Sequence, residues 1–195
     1  MSAERPAGLR LHRLRGPFYR IDRVPFSRWS WEPHAVPRHR FDSAAATRVR
    51  YAATASHGAA RERYRDTGSY IPPDHAGHYL VTLTGDLRVL DLRRETTLDA
   101  LRLDDRISTG HEPEIREAAQ QLSDLVRRWW GESVHGIAYR PRTTPETSVN
   151  VAFFEHAPLR GRSVRLDRAR RLGDQLVVRY GFTIDFSGAS TSSHC

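Results

Sequence analysis

"EPEIREAAQQLSDLVRRWWGESVHGIAYR", residues 112–140, decides the fold, because a helix and a strand can be read from it one after the other. Ile115, Ala118, Ala119, Leu122, Leu125, Val126 and Trp129 recur at three- and four-residue steps, one face of a 3.6-residue period. Pro113 suits a first helical turn, so the spacing predicts a helix from near Glu112 to about Trp130 whose stripe is core. "VHGIAYR" then breaks that period and reads as a strand. Upstream, "HYLVTLTGDLRVLDLR", residues 78–93, reads as two strands around Gly85, with Leu80, Leu87 and Leu90 among the buried candidates. Downstream, "SVNVAFFEH" and "DQLVVRYGFTIDF" are strand-like.

Toward the N-terminus, "LRLHRLR", residues 9–15, alternates apolar and basic side chains as a half-buried strand does. Gly16 to Arg38 holds four prolines and two tryptophans without a sustained period and reads as a long ordered loop. "VRYAAT" from Val49 reads as a short strand, after which Ser56 is a suitable N-cap for a helix through Arg65. No internal repeat occurs, and the order of elements is too irregular for a doubly wound sheet. The expected class is α+β with mainly antiparallel strands. One domain is expected over residues 9–186, flanked by an N-terminal tail, 1–8, and a flexible C-terminal tail, 187–195.

Composition bounds the partners. All 31 basic residues are Arg, and the net charge is +8. The arginines are spread through every segment and not interleaved with aromatics, so attraction to a dinucleotide explains the charge as well as nucleic acid does, and nucleic acid is not the expected partner. No stretch reaches the roughly 18 apolar residues of a membrane span, and the basic N-terminus lacks the apolar core of a secretory signal; a cytoplasmic protein is expected. The single cysteine, Cys195, permits neither an internal disulfide nor a cysteine metal site. Ten histidines form no HxxxH or HExxH pair on a helix, so no metal is expected. GxSxG, GxGxxG and GxxxxGK[ST] are all absent, which removes the serine-hydrolase elbow, the Rossmann fingerprint and the P-loop.

Within "HRFDSAAATRVRYAATASHGAARERY", residues 39–64, Arg40, Tyr51 and Glu62 stand eleven residues apart. If Tyr51 lies on a strand and a helix follows, Glu62 falls between one and two turns into that helix, with Ala59 and Ala60 permitting close packing on the sheet. A carboxylate so near a sheet needs a partner or a task. The spacing equally allows an ordinary surface pair with Arg65, or with Asp66 nearby in solvent.

The order of several motifs resembles the RES-domain family, which supplies toxins of many bacterial toxin–antitoxin pairs. The resemblance rests on "LHRLR", on "RFD" followed by "YAATASHGAARE", on "LVTLTGDLRVLDLR", and on "STGHEPEIREAAQQLSDLVRRWWGESVHGIAYRPR" leading to "NVAFFEH". It implies an ADP-ribosyltransferase-like fold, a split antiparallel core with flanking helices and a cleft that takes NAD+ as substrate. It further implies cleavage of the nicotinamide–ribose bond, with ADP-ribose passing to water, phosphate or a macromolecule. By the same resemblance Arg40 is the family Arg, Tyr51 lines the nicotinamide side and Glu62 is the family Glu. Pro141 stands where the family has Ser, in "YRPR", and lacks any side-chain hydrogen-bond donor. Thr143, Thr144 or Ser148 in the following loop are candidates to supply the hydroxyl, and Arg142 keeps a basic position for phosphate. The implied partners are NAD+ or a related nucleotide, a small helix-turn-helix antitoxin over the cleft and, as an open alternative, a second copy of the chain. Two other uses stay open: a nucleotide-binding protein without turnover, and an enzyme of specialised metabolism.

Overall fold

Eight strands form one curled, mixed sheet in the computed structural model, which describes residues 4–32, 36–43, 49–144 and 146–186. In chain order these are β1 (His12–Arg15), β2 (Phe18–Asp22), β3 (Arg50–Ala53), β5 (Tyr79–Thr84), β6 (Asp86–Asp91), β7 (Gly136–Tyr139), β8 (Asn150–Phe153) and β9 (Arg160–Arg165). β4 (Tyr70–Ile71) and β10 (Thr183–Ile184) make a separate parallel pair. The sheet order is β1-β6-β7-β8-β3-β2-β5-β9, antiparallel throughout except for β6 against β7. Among the described residues, five α-helices flank it: α1 (Ser56–Arg63), α2 (Glu95–Leu101), α3 (Arg106–Thr109), α4 (Pro113–Trp130) and α5 (Arg170–Tyr180). The α+β class and the mainly antiparallel sheet are therefore as the sequence indicates.

The decisive stretch folds as its spacing says. On α4, Ala119, Leu122 and Val126 are fully buried against Leu90, Ile137, Ala152 and Phe154 on one face of the sheet. The opposite face packs Phe18, Val81, Leu87, Val151 and Phe153 under Phe26, Trp29 and Trp31. Because β7 and β8 are covered on both faces, every residue in them is buried, which is why they read as apolar runs and not as alternations. A third cluster joins α1 and α5 through Ala60, Tyr64, Leu172 and Leu176.

Several sequence expectations are corrected. The segment from Gly16 to Arg38 is not all loop, since Phe18–Asp22 is a full strand paired with β5 at every residue. Its two buried positions, Phe18 and Ile21, are three residues apart, so no period-2 signal exists. Much of "DQLVVRYGFTIDF" is the C-terminal half of α5. The buried pair Leu172 and Leu176 sets that helix, while Val177 and Val178 point outward. Gly181, at φ +66°, ends it in the left-handed region that favours glycine. β9, "RGRSVR", is an exposed edge strand with no apolar alternation to betray it. Helices α2 and α3 also carried no reading in the sequence. Ala55 rather than Ser56 is the N-cap of α1, and the helix stops at Arg63, with Arg65 in the 3-10 turn that follows. Leu80 is half-buried, whereas Leu87 and Leu90 are fully buried. The C-terminal tail, 187–195, lies outside the described residues. Among those described, no helix is long and apolar enough to cross a membrane.

Gly136 opens β7 where the backbone of β8 passes close by. A Cβ there would lie 2.2 Å from the Ala152 carbonyl oxygen. Gly136→Ala is expected to destabilise the fold by about 1–3 kcal/mol, as overpacking does. Denaturant unfolding would read this as a lower midpoint at unchanged slope.

Candidate active site

β2 and β3 touch at a single residue pair, Tyr19 with Ala53, while each is fully laddered to its other neighbour. The sheet thus opens between a five-strand part and a three-strand part, and a cleft of ≈ 760 Å³ occupies the gap. Side chains bridge it where strand pairing does not. Arg20 of β2 donates to the Tyr51 carbonyl of β3 at 2.8 Å and pairs with Asp22 at 2.7 Å. Arg50 of β3 reaches the same Asp22 oxygen at 3.3 Å, donates to the Ser30 carbonyl at 2.7 Å and lies 4.8 Å over the Trp29 ring. Burial raises the Asp22 carboxyl, but the two guanidiniums and the Arg23 amide overcome it, leaving a net shift below the ordinary carboxylate value.

One rim of the cleft is the turn that presents Arg40. Buried Asp42 accepts the amides of Arg38 and His39 at 2.9 and 2.8 Å and the Tyr51 hydroxyl at 2.9 Å. The same hydroxyl accepts the Phe41 amide at 3.0 Å. Burial first, then the Asp42 carboxylate, pushes the Tyr51 hydroxyl well above its ordinary value, so it stays protonated and can keep donating. Tyr51 therefore ties the Arg40 turn to β3 through its hydroxyl, while the residue also lines the cleft. Arg40 itself donates to the carbonyls of Ile107 and Gly110 at 2.8 and 2.6 Å, capping the C-terminal end of α3. Burial, and then the nearby Arg142, lowers its pKa.

Glu62 enters from α1 on the other side. Thr143 donates to Glu62 Oε1 at 3.0 Å, and among the described residues it is the one hydrogen-bond partner of that carboxylate. Arg65 makes its ion pair with Asp66 at 3.0 Å, and no ion pair joins it to Glu62 among the described residues, although the Glu62 charge adds, after Asp66, to raising its pKa. Arg142 approaches from the loop after β7, donating to Gly110 O and meeting His111 Nδ1 at 2.7 Å. Tyr139, buried and lining the cleft, has its hydroxyl raised by burial and next by the Glu62 charge.

Arg40, Tyr51, Glu62 and Arg142, singled out in the sequence, line this one cleft although they lie in four separate segments, whereas the hydroxyl candidates Thr143, Thr144 and Ser148 are not part of its lining, Thr143 meeting Glu62 and the other two Gly58. Arg20, Asp22, Arg50 and His111 also line it and were missed. Arg20 and Asp22 share a strand face at i, i+2, a signal that existed only once β2 was recognised as a strand. Among the described residues, no group of three or more His, Cys, Asp or Glu stands together in a geometry fit to hold a metal.

The sequence profile of the RES domain matches residues 10–174. The chain belongs to the RES-domain family. Among solved structures, a chain of the M. tuberculosis MbcT–MbcA toxin–antitoxin complex superposes with a TM-score of 0.61 at 18% identity, covering 86% of this chain and 93% of its own. That likeness shows a shared fold. No curated protein sequence matches the chain.

In this RES domain the depressed pKa of Asp22 has a defined consequence for stability. A carboxylate held below its unfolded value of about 3.9 adds stability above that pH and loses it as pH falls through the folded value. Asp22→Asn is expected to be less stable than the parent at neutral pH. The gap between the two proteins should close below about pH 4, as followed by urea unfolding across a pH series.

Proposed function

We propose that this RES domain is an NAD+-consuming enzyme that breaks the nicotinamide–ribose bond, and that it acts as a toxin held in check by an antitoxin seated over the cleft. The observation that carries the reading is the convergence of Glu62, Arg40, Tyr51 and Arg142 on one cleft large enough for a dinucleotide. Nine arginines line it against three acidic residues, Asp22, Glu62 and Asp66, a field that attracts a pyrophosphate.

In this reading Arg142 and Arg40 hold the pyrophosphate with the N–H groups they do not spend on carbonyls. Tyr51 packs its ring beside the nicotinamide. As the C1′–N bond breaks, the electron pair leaves with the nicotinamide nitrogen and positive charge grows on the ribose. Glu62 faces that charge and stabilises it. An acceptor oxygen then bonds to C1′ and gives up its proton to Glu62 or to solvent. The acceptor is water, phosphate or a macromolecule. The MbcT–MbcA likeness supports the antitoxin part of the proposal, since that structure is of a toxin–antitoxin complex.

Pro141, standing where the family has Ser, favours a second reading in which the domain holds a nucleotide without cutting it. Incubation of the purified protein with NAD+, with and without phosphate, separates the two. Nicotinamide release supports cleavage, and the mass of the other product names the acceptor; calorimetric binding without release supports the second reading.

Three substitutions test the roles. Glu62→Gln is expected to lower kcat by about 100-fold or more while thermal unfolding stays near that of the parent, as loss of a group facing transition-state charge does. Arg142→Ala is expected to raise KM roughly tenfold, the size of one charge-assisted contact. Arg40→Ala is expected to weaken NAD+ binding and also to lower the unfolding temperature, because it strips the caps from the Ile107 and Gly110 carbonyls.

A further inference from the structure

We infer that Thr143 is the residue that positions Glu62, its hydroxyl standing in for the one that Pro141 lacks. The inference rests on the catalytic reading of Glu62 given above and extends it to a residue of this chain's own.

The geometry comes from a loop laid along α1. After β7, the buried Pro141 fixes the backbone and Arg142 turns into the cleft. From there the loop meets α1 at successive points. Thr143 donates to Glu62 Oε1 at 3.0 Å. Thr144 and Ser148, both buried, press on Gly58, where a Cβ would stand 2.5 Å from Ser148 Oγ and 3.3 Å from Thr144 Oγ1. Thr147 Oγ1 meets His57 Nε2 at 3.0 Å. The hydroxyl-bearing side of the loop therefore runs along the helix from its first turn to Glu62, and only at Glu62 does it end on a carboxylate that lines the cleft.

A glutamate near the C-terminal end of an eight-residue helix has three side-chain torsions to fix. A β-branched threonine is stiff at χ1, so its hydroxyl holds a defined direction. With Oε1 held, the carboxylate plane is set and Oε2 is left for the ribose. Neither Thr144 nor Ser148 reaches Glu62 in this way, since both are turned onto Gly58.

The test uses Thr143→Val, which keeps the shape and removes the donor, Thr143→Ser, which keeps the donor, and Glu62→Ala, which removes the acceptor, with the Thr143→Val/Glu62→Ala double variant. Expected for Thr143→Val is a loss of at least tenfold in kcat for nicotinamide release with KM within twofold of the parent. Thr143→Ser is expected to keep kcat within threefold. Thr143→Val with the parent's kcat, or Thr143→Ser as impaired as Thr143→Val, overturns the inference. Thermal unfolding of the parent, Thr143→Val, Glu62→Ala and their double variant reads the contact without turnover: non-additive shifts support it and additive shifts overturn it. If the parent releases no nicotinamide at all, the proposed function fails, and the unfolding cycle alone then decides whether Thr143 holds Glu62.

Discussion

The cleft depends on a sheet that is nearly cut in two. β2 and β3 share one residue pair, and everything beyond Tyr19 and Ala53 diverges. A divergence of that kind leaves backbone groups without a ladder partner, which is costly unless something else satisfies them. Here the long, forked arginine side chain does so, Arg20 reaching from one strand to the Tyr51 carbonyl of the other. Asp22 then ties Arg20 and Arg50 together across the opening. The result is a polar, half-open cavity with rigid walls, since each wall is a strand laddered on its far side.

Arginine has a second task in this chain. Arg40 and Arg142 meet on the Gly110 carbonyl, so the end of α3, the Arg40 turn and the loop after β7 are held to one point. A guanidinium carries five donors, and using one or two on carbonyls leaves a directed positive face. That is how a chain with 31 arginines and no lysine keeps a concentration of like charge inside one cleft. Each guanidinium that lines it and is fixed has its place set by carbonyls, carboxylates or an aromatic ring, and Asp42, through Tyr51, sets the place of the turn that carries Arg40.

α4 was legible because of one-sided burial, its apolar stripe being the one face that meets the sheet, whereas β6, with Leu87 buried on one sheet face and Leu90 on the other, was legible as a short apolar run beside Gly85. β2 was illegible because Phe18 and Ile21 break alternation, β9 because an edge strand needs no apolar face, and α5 because two exposed valines imitate a strand. For the site, motif order pointed to Arg40, Tyr51, Glu62 and Arg142, and the RES-domain profile over residues 10–174 bears out the family that the order resembles. Arg20, Asp22 and Arg50 stayed hidden in a segment whose strand was hidden.

By itself, then, the sequence determined the α+β class, the family and four of the residues that line the cleft, because period and motif order are properties of the chain taken locally. Only the tertiary structure decided what those residues do to one another. That Glu62 answers Thr143 and not Arg65, and that Tyr51 anchors the turn of Arg40, follow from contacts between segments ten to eighty-one residues apart. Such contacts are set by how β2 and β3 part and how the loop after β7 lies along α1, and no local pattern in the chain encodes a distance across that gap.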